Sequence, residues 1–415
     1  MNKLNRKFSK KDLKRFQDIS VKDGSLILGN HVRLDPHKSR TSLILGTSGS
    51  GKTNTHIDKN IIPGEDNYII LDMGGEKWAR THERFEEAGY DIIRFDTSDI
   101  KNSQSFNFLK LCENDERKTI EIADGLHRDL SCGKAGLDPF WGEAESLLLR
   151  MIMLYLVFNG HHVPHDIMGE IMQLEKYGFE YLKTGKYREF YEECKEKDFC
   201  RTYINTYSAV TMVPGKTFNA VLINLYTKLV MMELNGFCDL TDKTDFDIRK
   251  LFINKTVVYI GGSWYIDKTF NVLSKILFAQ CLQAIEERSD ITRHCRCMAD
   301  AFIGLGNMNT VLPYFLRYAA LKKMSFSFTM QCLEEGYGVY NRDEFNMFVS
   351  NMNNIVFMGC WADETLSFIE DKWNRLSKDP ITRSDLIEMY IEREVIFIDK
   401  EALVDVKTGL KDRRK

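Results

Sequence analysis

Short apolar runs rich in β-branched residues open the first part of the chain, at Thr41–Leu45, Tyr68–Leu71 and Asp91–Phe95, with helical spacing between them. Their brevity predicts strands, and the alternation with helices predicts a parallel sheet with crossover connections. From about Cys112 to about Arg249 the strand signal stops. Glu143–Phe158, Tyr177–Lys197 and Phe218–Leu234 repeat apolar residues at helical spacing instead, which predicts an inserted all-helical domain over residues 112–249. Strand-like runs return at Thr256–Ile260, Cys295–Ala299, Ser325–Met330, Ile355–Met358 and Val395–Ile398. Residues 1–111 and 250–415 are therefore expected to form one discontinuous α/β domain with a mainly parallel sheet. No internal repeat or low-complexity stretch interrupts the pattern.

With 415 residues the chain is long enough for two packed cores, and 43% apolar with 12% aromatic residues marks a folded protein. The ten cysteines follow no framework spacing and no signal peptide precedes them, so reduced thiols and a cytosolic setting are expected. Leu147–Phe158, the most apolar stretch, is interrupted by Arg150 and falls well short of the ~20 residues of a membrane helix. A net charge of −3 excludes a uniformly basic nucleic-acid binder but leaves room for a local basic lining. Residues 1–20 form a basic segment, whose first sixteen residues carry Lys3, Arg6, Lys7, Lys10, Lys11, Lys14 and Arg15 against one acid, Asp12. It reads first as a solvated helix or tail, with a position beside anionic lipid as the sharper alternative.

Gly46-Thr47-Ser48-Gly49-Ser50-Gly51-Lys52-Thr53 follows the first strong strand and precedes a helical stretch, which is the context a phosphate-binding loop requires. The glycines let backbone N–H groups curl around phosphates, Lys52 reaches the β and γ oxygens, and the Thr53 hydroxyl is a Mg²⁺ ligand. Such a loop needs a second metal partner, an aspartate ending an adjacent apolar strand; Cys295–Asp300 supplies Asp300. The next residue is Ala301, where a water-polarising glutamate often stands. Gln331, after the strand Ser325–Met330, has an amide suited to read the γ-phosphate or orient water. Asp72-Met73-Gly74-Gly75-Glu76 places two acids in a loop near the carboxyl ends of the strands, where ligands bind in such sheets. His161, His162 and His165 lie close in sequence, but no cysteine or acid spacing completes a metal site, so they read as a polar loop. Cys295 and Cys297 read as core residues of a strand.

In this order the motifs resemble those of the type IV secretion coupling proteins. The resemblance covers most of the chain. It rests on the phosphate loop, on Asp72–Glu76 for the family's Asp-Pro-Lys-Gly-Glu, and on Phe106-Asn107-Phe108-Leu109 for Tyr-Asn-Pro-Leu. It rests also on Asp138-Pro139-Phe140-Trp141 at the start of the helical insertion, on Lys216-Thr217, on Asp300–Gly306 for Asp-Glu-Phe-Ala-Asn-Ile-Gly, and on Gln331. The family usually carries a membrane anchor before the ATPase; none is present in this sequence, which implies an anchor removed from it or recruitment by a partner. Met73-Gly74 replaces Pro-Lys and Ala301 replaces glutamate, either as an engineered trap for nucleotide or as a natural sequence that hydrolyses slowly or uses another acid such as Glu76.

The resemblance implies a RecA-like P-loop NTPase fold and an ATP- and Mg²⁺-dependent motor that recruits conjugative DNA or effector protein to a secretion channel. It implies a homo-hexamer at the inner face of the cell membrane, with single- or double-stranded DNA in its centre. Expected partners are a relaxase or effector cargo and the channel's ATPases and membrane components. Lys52, Thr53 and Asp300 would then hold Mg-ATP, Gln331 would read the γ-phosphate, Arg317 is a candidate finger toward the next subunit, and Lys322 and Lys323 are candidate pore residues. Two rivals stand beside it: another hexameric DNA pump, and a docking receptor that binds nucleotide with little or no hydrolysis.

Overall fold

The computed structural model of the protein describes residues 25–38, 40–131, 139–263, 270–308, 324–388 and 392–407. The basic segment, Asp138, Arg317, Lys322 and Lys323 lie outside them. The described residues fall into two compact units, those within Met1–Arg94, Ile248–Trp264 and Cys281–Lys415, and those within Phe95–Asp247 and Tyr265–Gln280.

A small antiparallel pair, β1 (Leu26–Ile27) and β2 (Arg33–Leu34), precedes the main sheet. The sheet is built from β3 (Thr41–Leu45), β4 (Asn67–Met73), β5 (Asp91–Asp96), β6 (Thr256–Gly262), β7 (Cys295–Ala299), β8 (Met324–Met330), β9 (Asn354–Phe357), β10 (Arg393–Ile398) and β11 (Glu401–Val406). Its nine strands run in the order β11-β10-β9-β3-β8-β7-β4-β6-β5. The pairs from β9 through β3, β8, β7 and β4 to β6 are parallel, and β10 and β11 add an antiparallel edge. Every residue of β3, β4, β6, β7, β8 and β9 is buried, as expected of strands covered on both faces. Polar side chains inside this core tie elements together: Asn67 Oδ1 accepts from Thr256 N at 2.9 Å and Asn67 Nδ2 donates to the Phe252 carbonyl at 2.9 Å. β11 escaped the sequence reading because its Glu401-Ala402-Leu403-Val404-Asp405-Val406 carries acids at an edge that need not be apolar throughout.

The second unit is helical, with helices Glu116–Leu130, Pro139–Phe158, Asp166–Thr184, Lys186–Glu196, Arg201–Thr211, Gly215–Leu229 and Asn235–Thr241. Pro139 opens the longest of them, a position where its missing N–H costs nothing. Leu148, Leu149, Met151–Leu154, Leu156 and Val157 bury that helix nearly all round, and its buried Glu145 accepts from His127 Nε2 at 2.9 Å and from Lys228 Nζ. Tyr177–Lys197 is not one helix: Gly178 takes φ 72° and Gly185 is extended, which breaks the run twice. Phe218–Leu234 likewise ends its α-helix at Leu229 and tightens into a single turn over Val230–Glu233. Among the described residues no helix is long and apolar enough to cross a membrane.

Asp129, buried near the end of helix Glu116–Leu130, carries a cost. Burial pushes its carboxyl up from 3.8 to about 6 against the pull of Lys275 and Arg128. The folded state then binds one proton more than the unfolded state between those values, so stability falls as pH rises from 3.8 to about 6 and the penalty is complete above that. Asp129→Asn is expected to stabilise the protein at pH 7 by on the order of 2 kcal/mol and to change little near pH 3.5. Urea melts at the two pH values check this; an equal shift at both would show that the carboxylate is not the source.

Candidate functional site

β3 ends at Leu45 and the chain enters the phosphate loop. Gly49 and Gly51 take φ +77° and +100°, a left-handed region that other residues reach only with strain, which explains why glycine stands at both. Lys52 folds back over the loop and its Nζ donates to the carbonyls of Gly46 and, at 3.0 Å, of Thr47. Burial pulls the Lys52 ammonium below its ordinary range, with Asp300, Glu335 and Cys332 opposing. The Ser50 hydroxyl is buried without a hydrogen-bond partner among the described residues, an arrangement that suits an incoming acceptor such as a phosphate oxygen. After the loop the chain makes a wide π-type turn over Thr53–Ile57 and an α-turn over Asp58–Asn60. His56 on this turn contacts buried Glu394 of β10 at 3.0 Å. Lys407, just past β11, donates to the carbonyls of Met358 at 2.8 Å and Ser50 at 3.4 Å.

Asp300 reaches this loop from the end of β7. The strand is not adjacent to β3, as the sequence reading expected, because β8 lies between them. Thr329 of β8 fills the gap: its hydroxyl donates to Asp300 Oδ1 at 2.6 Å and accepts from Ala301 N at 2.7 Å. Asp300 Oδ2 accepts from Thr53 Oγ1 at 2.8 Å and lies 2.8 Å from Lys77 Nζ. Burial alone would push the Asp300 carboxyl up, but Lys77 and the hydrogen bonds from Lys77, Thr329 and Thr53 outweigh it and hold the carboxyl below 3.8. Thr53 and Asp300 thus converge from segments far apart in sequence. This oxygen-donor pair fits a hard divalent cation.

Asp72 and Glu76 have other work. Asp72 accepts the backbone N–H groups of Lys77 at 2.9 Å and Trp78 at 2.7 Å, which anchors the start of helix Glu76–Glu87. Glu76 is 63% exposed and pairs with Arg80. Gln331 is exposed, and its backbone N–H donates to Glu335 Oε2 at 2.7 Å. Sequence reasoning missed Lys77, Thr329 and Glu335. Only Thr329 left a signal, as the last of the alternating polar positions Ser325, Ser327 and Thr329 along a buried strand.

The model of the type IV secretory system conjugative DNA transfer family matches residues 1–373. The chain belongs to that family. No curated protein sequence matches it significantly. Among solved structures it is similar to the bacterial conjugative coupling protein TrwBdeltaN70, with TM-score 0.69 and 13% identity over 96% of this chain and 91% of that one. TrwB in complex with ADP and Mg²⁺ matches with TM-score 0.66 and 13% identity over 94% of this chain and 91% of that one. VirB4 of Thermoanaerobacter pseudethanolicus matches with TM-score 0.51 and 10% identity over 95% and 99%. At these identities the structural likeness establishes the fold, a RecA-like P-loop architecture.

Among the other residues that carry the family resemblance, Asn107 has a structural part. Asn107 caps the turn Phe108–Leu111, accepting from Leu109 N at 3.0 Å and Lys110 N at 3.2 Å, and its amide donates to the His162 carbonyl at 2.7 Å. Phe140 is 45% exposed and meets Trp141 edge-on. The histidine loop does gain a cysteine and an acid, contrary to its sequence reading: Cys238 and Asp242 come within 4.8 Å of His165. His165 Nδ1 already shares a hydrogen bond with Asp242 at 3.0 Å. Burial, Asp242 and Asp239 push the Cys238 thiol up.

Proposed function

We propose that this chain binds ATP with Mg²⁺ and acts as a motor that recruits conjugative DNA, or an effector protein, and moves it to a type IV secretion channel. The meeting of Thr53 and Asp300 beside the phosphate loop carries this reading. Lys52 and the loop backbone hold the phosphates, Thr53 and Asp300 hold the metal, and Gln331 reads the γ-phosphate. The metal, when bound, neutralises charge on the phosphate oxygens. Homo-hexamer assembly supplies an arginine, with Arg317 the candidate, to complete each site from the next subunit. DNA contact is electrostatic and indifferent to sequence, with Lys322 and Lys323 as candidate contacts, because a motor must accept any strand. The helical segment 112–249 receives cargo, and a relaxase, channel ATPases and membrane components are the partners at the inner face of the membrane.

Lys52→Ala is expected to weaken ATP binding at least ~10-fold, a loss of about 1.4 kcal/mol of contact with the phosphates. Equilibrium titration with a fluorescent ATP analogue measures it, and an unchanged dissociation constant would remove the nucleotide site from Gly46–Thr53. A second reading, a docking receptor that binds ATP without turning it over, is favoured by Ala301 alone.

A further inference from the structure

The family motif places a lysine where this chain has Gly74, yet a lysine reaches the site from three residues further on. Lys77 stands in the first turn of helix Glu76–Glu87, with its side chain 4% exposed. Its Nζ lies 2.8 Å from Asp300 Oδ2, the same oxygen that accepts from Thr53 Oγ1 at 2.8 Å. The other oxygen is taken by Thr329. Asp72, by accepting the Lys77 backbone N–H, fixes the residue from which the side chain extends. A positive charge therefore already occupies the junction of the two residues assigned to the metal.

We propose that Lys77 is an internal counter-ion that competes with the divalent metal for Asp300 and transfers its charge to the nucleotide's phosphates when the metal enters. This rests on the reading of Thr53 and Asp300 as the metal pair. Mg²⁺ bonds oxygen at about 2.0–2.1 Å in a near-octahedral shell. An ammonium on the same carboxylate oxygen would lie too close to that ion, with strong repulsion in a buried site. Metal on Asp300 therefore favours release of the lysine, because the two cations would share one carboxylate. Its flexible stem lets the head move to a new acceptor, and incoming phosphates are the acceptors the site supplies.

Two effects of opposite sign follow. With Lys77 present, metal binds more weakly than the Thr53–Asp300 pair alone would allow, while nucleotide without metal binds more tightly because one counter-charge remains. In the full chain, Lys77→Met is expected to bind Mn²⁺ about 10-fold more tightly in the presence of ADP, followed by the EPR signal of free Mn²⁺. The same variant should bind ADP in EDTA about 10-fold more weakly. Unchanged Mn²⁺ binding, or weaker Mn²⁺ binding with ADP binding in EDTA intact, overturns the proposal. If Lys77→Met weakens both ligands through a damaged site, Lys77→Gln decides: it keeps a donor toward Asp300, removes only the charge, and must show the two opposite shifts or the proposal falls. Asp300→Asn tests the underlying reading separately. Mn²⁺ binding that survives Asp300→Asn removes the metal pair, whereas binding lost there but unchanged in Lys77→Met removes the role of Lys77 alone.

Discussion

Ala301→Glu is expected to raise ATP turnover by on the order of 10²-fold, the size of effect general-base assistance supplies. Ala301 directly follows Asp300, holds φ +49°, and donates its backbone N–H to Thr329 at 2.7 Å. A β-carbon is already accommodated in that conformation, so a glutamate adds no new backbone strain. Among the neighbouring acids, Glu76 is turned to Arg80, Glu334 accepts from Thr365 Oγ1 at 2.5 Å, and Glu335 Oε2 accepts from Gln331 N at 2.7 Å. The measurement is steady-state ATP hydrolysis across protein concentration, with and without single-stranded DNA, for both sequences. Equal rates would show that position 301 is not where water is activated. Absence of turnover in both, with ATP binding intact, would favour the docking receptor.

The second large effect is on stability. Asp300→Ala leaves the Lys77 ammonium buried without its carboxylate, and removing one member of a buried pair typically costs about 3–5 kcal/mol. The double variant Asp300→Ala with Lys77→Met is expected to recover most of that loss, because the unpaired charge goes with the lysine. Urea unfolding of the two single variants and the double variant closes the cycle. Additive losses would mean that the pair is not what holds this corner together. Because the Asp300 carboxyl is held below its ordinary 3.8, the unfolded state binds more protons only in acid. The contribution is therefore present above pH 3.8 and is lost as pH falls through the lower folded value.

The strands were legible because parallel strands buried on both faces are largely apolar; Thr41–Leu45 and Cys295–Ala299 appear with the bounds their composition predicts. The loop pattern and a strand-ending aspartate pointed to Thr53 and Asp300, which meet at 2.8 Å, although β7 is not the neighbour of β3 that was expected. Lys77 was not legible. In sequence it reads as one more charged residue at a helix start, and its burial depends on where β7 delivers Asp300. Thr329 mattered only once β8 was found between β3 and β7, a fact of sheet order that no local pattern encodes. The helix breaks at Gly178 and Gly185 were visible as residues, but composition alone did not say that both would be used.

The corner where Thr53 meets Asp300 is also a matter of timing during synthesis. Thr53 and Asp300 are 247 positions apart, and the contact of Lys407 with Ser50 spans 357. A growing chain emerges from the ribosome with its phosphate loop first, while Asp300 and Lys407 arrive only after the helical segments have been made. Contacts so distant in sequence form late and slowly. The nascent protein therefore spends most of its synthesis with an exposed, incomplete sheet around β3 and β4, the stage at which chaperones have most to protect.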